Sequence, residues 1–380
     1  MTVPNERSPS ADKRFDVLMI VMLSLIIFFI SSSRFFNLAE KSSLGSQMPI
    51  TGIAFDETFP LDVNHHWVQR VFSNFVNWVV TNQNGMIFGV LFATCLMSML
   101  PLMGRAQKEQ TWRNTLWGAV LGVPLGVCVN CAAPIAAGLR AGGARIETAL
   151  ATMFSSPTLN VMVLTMTFSL LPWYFGVIKI LFTLILIFGV VPYLSKGISE
   201  ADLSLEFQPQ TKTQDLPVES LEELSNDGSW SSAVLWSLEQ LTRNLWFLVK
   251  KTVPLMFLAG LLGALLVTFL PLKDLGQILP SDGSFWLLLG SLTLLVIVGT
   301  FLPVPIAFDI IMVTILMTAG LREEYCVALL YSLGSYSIYS CLLVRKFANT
   351  RLALSLFVAV CCLAIASGFT TSILGSVLRV

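Results

Sequence analysis

The stretch GVPLGVCVNCAAP, residues 122–134, places two cysteines, an asparagine and two prolines inside a long apolar segment. Glycine and proline interrupt helices, because glycine adds backbone freedom and proline removes a hydrogen-bond donor. Non-helical backbone is tolerated at membrane depth only where protein buries it or where it lines a cavity. The stretch therefore predicts a broken helix within a membrane, with Cys128, Asn130, Cys131 and Pro134 as candidate solute contacts.

Composition indicates the broad class of protein. The chain has 380 residues, of which 55% are hydrophobic and 12% are charged, whereas soluble domains carry roughly 25% charged residues. Apolar runs of about 20 residues, the length that crosses a bilayer, recur along the chain. These features predict an all-α polytopic protein whose first partner is the lipid bilayer. The 23 basic and 23 acidic residues balance, so nucleic-acid binding has no electrostatic support.

Apolar segments are expected at 16–36, 85–103, 112–140, 146–171, 173–193, 250–270, 284–318, 325–343 and 352–376. They divide the chain into four regions. Residues 1–83 hold an N-terminal membrane helix and an external loop, and residues 84–193 form a first membrane repeat. Residues 194–249 form an acidic cytoplasmic linker with an interfacial helix, and residues 250–380 form a second membrane repeat.

The two membrane regions resemble each other at an offset of 177 residues. The segment that starts at Gly143 matches the segment that starts at Gly320, and this match aligns two Arg-x-Glu pairs. The charged residues Arg145, Glu147, Arg322 and Glu324 are interpreted as interface anchors or local ion pairs. Weak internal symmetry with interrupted apolar segments in matching places is typical of transporters.

Basic residues predict the topology, because cytoplasmic loops carry an excess of lysine and arginine. With the N-terminus in the cytoplasm of a multi-pass inner (plasma) membrane protein, residues 112–140 fit a re-entrant hairpin entered from the inside. Residues 284–318 fit a second hairpin entered from the outside. The expected fold is therefore two inverted repeats, each with a proline-broken re-entrant hairpin, plus an extra N-terminal span.

Cys128 and Cys131 are separated by two residues, so their sulfurs can bind one soft ion, close a disulfide, or simply pack as small apolar groups. Haem attachment needs a histidine after the second cysteine, where Ala132 stands. A closed zinc site needs four ligands, and no second pair is evident. We expect no metal site and no cofactor.

Asp309 lies deep in the apolar stretch 302–311. An ionisable side chain at membrane depth is costly and points to a function by default. We interpret Asp309 as a proton-coupling residue; the alternative is a carboxylate that reaches a watery opening or pairs locally.

Hydroxyl-bearing motifs form a second matched pair. Each puts hydroxyls and a helix-breaking residue into an apolar span, which suits either solute binding or hydrogen bonding between helices. The candidate substrate-binding residues in these motifs are Ser155, Ser156, Pro157, Asn160, Ser332, Ser335 and Ser337.

The run from Gly122 to Leu164 resembles the signature of the predicted permeases grouped with organoarsenical-efflux permeases of the ArsP type. Cys128, Cys131 and Pro134 match a cysteine-containing hairpin of that family, and Pro157 with Asn160 matches its Ser/Ala-Pro-x-x-Asn element. The second half departs from this pattern, since its hairpin has Pro303 and Pro305 without cysteines. The resemblance implies a permease, and a thiol pair suits a trivalent arsenical or another soft solute.

Two functions from different classes follow. The first is a permease, not an enzyme, that exports a small-molecule or metalloid substrate. The chain has no GxxxxGK[ST] nucleotide motif, so we expect the transport to be secondary-active and coupled to protons. The second is a transmembrane thiol–disulfide electron carrier that uses the Cys128/Cys131 pair. Such a carrier needs a cysteine from each half, and Pro305 and Phe308 occupy the matching positions. Either function is compatible with an oligomer.

Overall fold

The computed structural model describes residues 9–34, 54, 58–62, 64–103, 111–196, 198, 229–270, 279 and 285–378. Every regular element of more than one residue in these ranges is helical. The first half contains α1 (Pro9–Phe29), α2 (Trp67–Met99), α3 (Thr111–Gly122), α4 (Val129–Ala141), α5 (Ile146–Thr158), α6 (Val161–Leu170), α7 (Trp173–Ile185) and α8 (Val191–Ser195). The second half contains α9 (Trp230–Phe269), α10 (Phe285–Phe301), α11 (Phe308–Thr318), α12 (Glu323–Ser335), α13 (Ile338–Phe347) and α14 (Thr350–Leu378).

Seven stretches of the described residues are long and apolar enough to cross a membrane. They contain α1, α2, α5 with α6, α7 with α8, α9, α12 with α13, and α14. The predicted all-α, multi-span architecture is therefore confirmed. The remaining apolar helices, α10 and α11, are shorter and flank the second interruption of the chain.

Helix α2 begins well before the apolar segment expected at 85–103, so the boundary placed after residue 83 falls inside it. Its early turns are polar but buried. Asn77 Oδ1 accepts hydrogen bonds from the Thr58 and Phe59 amides at 3.0 and 2.9 Å, and Asn74 Nδ2 donates to Thr268 Oγ1 at 3.1 Å. Polarity here reflects hydrogen bonding inside the protein and not a loop in water.

Helix α9 likewise runs without interruption from Trp230, so the boundary after residue 249 also falls inside a helix. The expected interfacial segment and the following span are one element of 40 residues. Residues 199–228 of the predicted acidic linker lie outside the described residues.

The predicted break in the first half is present. Helix α3 ends at Gly122, a single 3-10 turn covers Val123–Leu125, and Gly126 adopts a left-handed backbone with φ of 56°. Non-glycine residues rarely adopt this conformation. The chain becomes helical again at Val129, so residues 123–128 interrupt the α-helix.

Close contacts at two glycines show the relative directions of α3 and α5. Gly118 lies against Thr148 and Gly122 against Thr152, so α3 runs parallel to α5. The turn at Gly143, with φ of 91°, then makes α4 antiparallel to α5. Helices α3 and α4 consequently run in opposite directions, which supports the predicted hairpin. The face of the bilayer from which it is entered stays a prediction.

The second half repeats this pattern. Helices α12, α13 and α14 begin at Glu323, Ile338 and Thr350, which are 177 residues after the starts of α5, α6 and α7 at Ile146, Val161 and Trp173. The contacts repeat as well. Gly122 packs on Ser155 as Gly299 packs on Ser332, and Gly320 has a φ of 89° like that of Gly143. The matched Arg-x-Glu residues form the expected local ion pairs, Arg145 with Glu147 and Arg322 with Glu324.

The equivalent helices α2 and α9 pack against each other in antiparallel directions. Arg70 donates to the Thr268 carbonyl at 3.1 Å near one end, and Asn244 Nδ2 donates to Ser98 Oγ at 2.8 Å near the other. Opposite directions for matched helices are what an inverted repeat requires. The contacts support that prediction, and the orientation of each half in a bilayer remains to be tested.

Single cysteines at Arg113 and Ala319, both exposed, test this topology in a background that lacks the native cysteines. We expect an impermeant maleimide to label Arg113→Cys only from the cytoplasmic side and Ala319→Cys only from the other side. Labelling of both from one side would reject opposed hairpins. A cysteine at Trp112, also exposed but apolar, serves as a control for labelling through lipid.

Candidate functional site

Cys128 and Cys131 are joined by a disulfide at the start of α4, with Cα atoms 5.1 Å apart. Cys128 is the N-cap residue, and its sulfur accepts a hydrogen bond from the Cys131 amide at 3.2 Å. Both residues are buried. Of the three outcomes left open by the sequence, the structure shows the disulfide. Pro134 lies one turn further on, inside α4, and is also buried.

Two glycines of α2 allow the cysteine pair to sit close to that helix. A Cβ atom at Gly85 would lie 2.8 Å from Cys131 Sγ, and one at Gly89 would lie 2.7 Å from the Cys131 carbonyl oxygen. Both distances are shorter than real Cβ contacts. The pair is therefore held between the middle of α2 and the break that precedes α4.

Asn130, between the two cysteines, connects the halves of the protein. Its Nδ2 donates to the Val304 carbonyl at 3.1 Å, and its Oδ1 accepts from Ser337 Oγ at 3.1 Å. Trp78 of α2 donates its indole N–H to the Pro303 carbonyl. Side chains of the first half thus satisfy two backbone carbonyls that the break at 302–307 leaves without helical partners.

The hydroxyl motifs lie around these breaks. Ser156 Oγ accepts from the Val127 amide at 3.2 Å. Asn160 caps α6 by accepting from the Val163 amide, and it also donates to the Ser156 carbonyl. Ser337 caps α13 by accepting from the Ser340 amide. These groups stabilise the broken helices from within, so a contact with solute remains a prediction for each of them.

The other members of the motifs pack between helices. Ser155 and Ser332 face the matched glycines of α3 and α10. Pro157 is buried in the last turn of α5. Ser335 Oγ is buried and makes no hydrogen bond of normal geometry among the described residues. The structure brings Cys128, Asn130, Cys131 and Ser337 together, while Ser155 and Ser332 stand at separate helix contacts.

Asp309 is buried in the first turn of α11, as expected from its apolar surroundings. It is not a lone carboxylate. Its Oδ2 lies 2.5 Å from Nζ of Lys179, and the exposed fractions of the two side chains are 6% and 1%. The structure therefore favours local pairing, the alternative left open above.

Lys179 was not predicted as a site residue, although its position within an apolar segment indicated a buried charge. It stands in α7 among apolar residues and belongs to the first half, whereas Asp309 belongs to the second. A lysine at membrane depth carries the same functional implication as an aspartate at that depth. Opposite charges buried in separate halves of one chain are natural partners, because either charge alone is strongly destabilising.

The geometry is that of a membrane transporter: interrupted helices from two matched halves meet around buried polar groups. The family described as a predicted permease, ArsP_1, matches residues 108–373. The chain belongs to this permease family. It is also 28% identical over 263 residues to the UPF0718 protein YraQ of Escherichia coli K12, with 68% of each chain covered. None of the solved structures is significantly similar to the chain.

Gly89 provides a test of the packing around the cysteine pair. We expect Gly89→Ala to destabilise the permease by about 1–3 kcal/mol, because the added methyl group meets the backbone of Cys131. The measurement is thermal unfolding in detergent. Gly290→Ala is the matched control, since Gly290 also lies in a helix but has nothing within 4 Å of its Cβ position. Equal melting temperatures for the two variants would contradict the close contact.

Proposed function

We propose that this permease is a secondary-active exporter of a soft, thiophilic solute such as a trivalent organoarsenical, coupled to the entry of protons. The observation that carries the proposal is the Cys128–Cys131 pair at the junction of two broken helices. Thiolates are soft ligands, and two of them on one turn suit a trivalent metalloid. We place the protein in the inner membrane with its N-terminus in the cytoplasm.

Solute binding at this pair requires the dithiol form. Two thiols of a cellular reductant supply the two electrons and two protons that convert the disulfide to two Cys–SH groups, and they become a disulfide themselves. An arsenical that carries two hydroxyl groups then exchanges them for the two sulfurs and releases two waters. The disulfide form has no free sulfur to offer, so it corresponds to a form that does not bind the solute.

Asp309 is the proposed proton carrier. It lies at the start of a half-helix from the second repeat, and its ionised form is matched by Lys179. A carrier that alternates between two faces needs a group that binds a proton on one side and releases it on the other. A carboxylate whose counter-charge comes from the other half of the protein meets that need, since relative movement of the halves changes its surroundings.

The electron carrier remains the second candidate, because the cysteine pair is a disulfide at a helix N-terminus. Such a carrier would pass electrons to another cysteine pair. In the part of the chain that the structure describes, Cys95, Cys326, Cys341, Cys361 and Cys362 are free. An electron carrier would therefore lack a second disulfide among the described residues, whereas transport does not need one.

A double Cys128→Ser/Cys131→Ser variant tests the soft-ligand site. In everted vesicles treated with a reductant, we expect its accumulation of phenylarsine oxide to fall by about tenfold or more, equivalent to a loss of about 1.4 kcal/mol. Cys362→Ser, at an exposed free cysteine, is the control and should transport normally. Wild-type vesicles kept oxidised should resemble the double variant. Normal transport by the double variant at equal expression would remove the thiols from the mechanism.

Asp309→Asn tests proton coupling, because the amide imitates a permanently protonated acid. We expect this variant to keep exchange of phenylarsine oxide between the two sides and to lose accumulation driven by a pH gradient. Asp62→Asn is the control, since Asp62 is an exposed carboxylate outside the helices. Concentrative transport with the wild-type pH dependence in Asp309→Asn would show that another group or ion drives the cycle.

A further inference from the structure

Lys179 and Asp309 form an ion pair between the two halves of the protein. Lys179 belongs to α7 and Asp309 to α11, and their charged atoms are 2.5 Å apart with both side chains buried. Gly334 of α12 closes the site. A Cβ atom there would lie 2.6 Å from Asp309 Oδ2 and 3.4 Å from Lys179 Nζ. Any side chain other than hydrogen at position 334 would therefore push into the pair.

Helix α7 offers the ammonium one alternative acceptor besides Asp309. Thr183, one turn further along α7, is buried, and its hydroxyl makes no hydrogen bond among the described residues. Buried threonines elsewhere, such as Thr167 and Thr252, donate to the carbonyl four residues earlier. The Thr183 oxygen is therefore an unused acceptor on the helix face that carries Lys179.

Other titratable groups on the helices packed against α7 and α11 already have partners. Tyr331 of α12 donates to the Phe182 carbonyl at 3.1 Å, and Glu147 and Glu324 pair with arginines at the starts of their own helices. The remaining titratable residues on the helices packed against α7 and α11 are Glu323, Tyr325 and Cys326 of α12 and Arg351, Cys361 and Cys362 of α14.

We propose that Lys179 is a positioning residue that competes with the proton for Asp309, and this inference rests on the proposed proton coupling. When Asp309 is ionised, the ammonium neutralises it, so the pair holds the two halves together and carries no net charge. When a proton binds Asp309 Oδ2, the carboxylate becomes a neutral acid and its attraction for Lys179 is lost. The ion pair between the halves therefore weakens when Asp309 is protonated.

This competition has a directional consequence. Loss of a neighbouring ammonium favours the protonated form of a carboxyl group, which opposes release of the proton on the far side. Lys179 returns to Asp309 after reorientation and assists the release of the proton. The lysine thereby sets the pH range over which the cycle runs, without contact with the solute.

Infrared difference titration measures the protonation of Asp309 without any solute. The carboxylic acid C=O band of Asp309 is identified as the band that Asp309→Asn lacks. We expect the midpoint pH of this band to rise by about one unit or more in Lys179→Gln, a tenfold change in proton affinity. Lys179→Arg keeps the positive charge, so its midpoint should stay near that of the wild type. Lys196→Gln, at an exposed lysine, is the matched control.

A second measurement compares the single variant with a double variant that leaves neither charge of the pair without its partner. Lys179→Gln/Asp309→Asn removes both charges, and in proteoliposomes it should exchange phenylarsine oxide faster than Lys179→Gln alone, with no dependence on pH. An unchanged midpoint in Lys179→Gln would show that the lysine only holds the helices together, and would overturn this inference alone. If the wild type shows no Asp309 band that titrates, both the inference and the proposed proton coupling are wrong.

Discussion

Backbone groups freed by a broken helix must find hydrogen-bond partners inside the protein, since lipid supplies none. Both breaks in this permease satisfy that requirement with side chains of other elements. Ser156 binds the amide that follows Gly126, while Asn130 and Trp78 bind carbonyls of the break at 302–307. The tip of each interruption is therefore fixed by groups outside its own helices, and two of these bonds tie one half to the other.

The same constraint explains why the candidate site is located where it is. Helix α4 approaches α2 closely at Gly85 and Gly89, and from that position Asn130 bonds to Val304 and Ser337. The cysteines on either side of Asn130 are consequently positioned at the junction of the halves. The cysteine pair and the bridging amide share one helical turn, so the proposed binding of solute at the sulfurs would act directly on the contact between the halves.

Much of this arrangement could be predicted from the sequence. Pro124 and Gly126 indicated the first break in the helix. The apolar neighbours of Asp309 indicated that this side chain is buried. The extent of α2 could not be recognised from polarity, because Asn74 and Asn77 are buried by partners distant in the chain. The Lys179–Asp309 pair depends on helix packing between residues 130 positions apart, which the pattern of either segment does not reveal. The sequence does not decide whether Cys128 and Cys131 bind a soft ion, close a disulfide or pack as apolar groups. The disulfide is seen only in the folded structure.

The antiparallel contact of α2 with α9 limits how the permease can move. The two helices are bonded near both ends, through Arg70 with Thr268 and Ser98 with Asn244, and Trp78 fills the space against Gly260 between them. Separating them would break the polar bonds near both ends of the helix pair at once. Under the proposed transport cycle, relative movement of the halves would therefore fall on the helices outside this contact, α5–α7 and α12–α14.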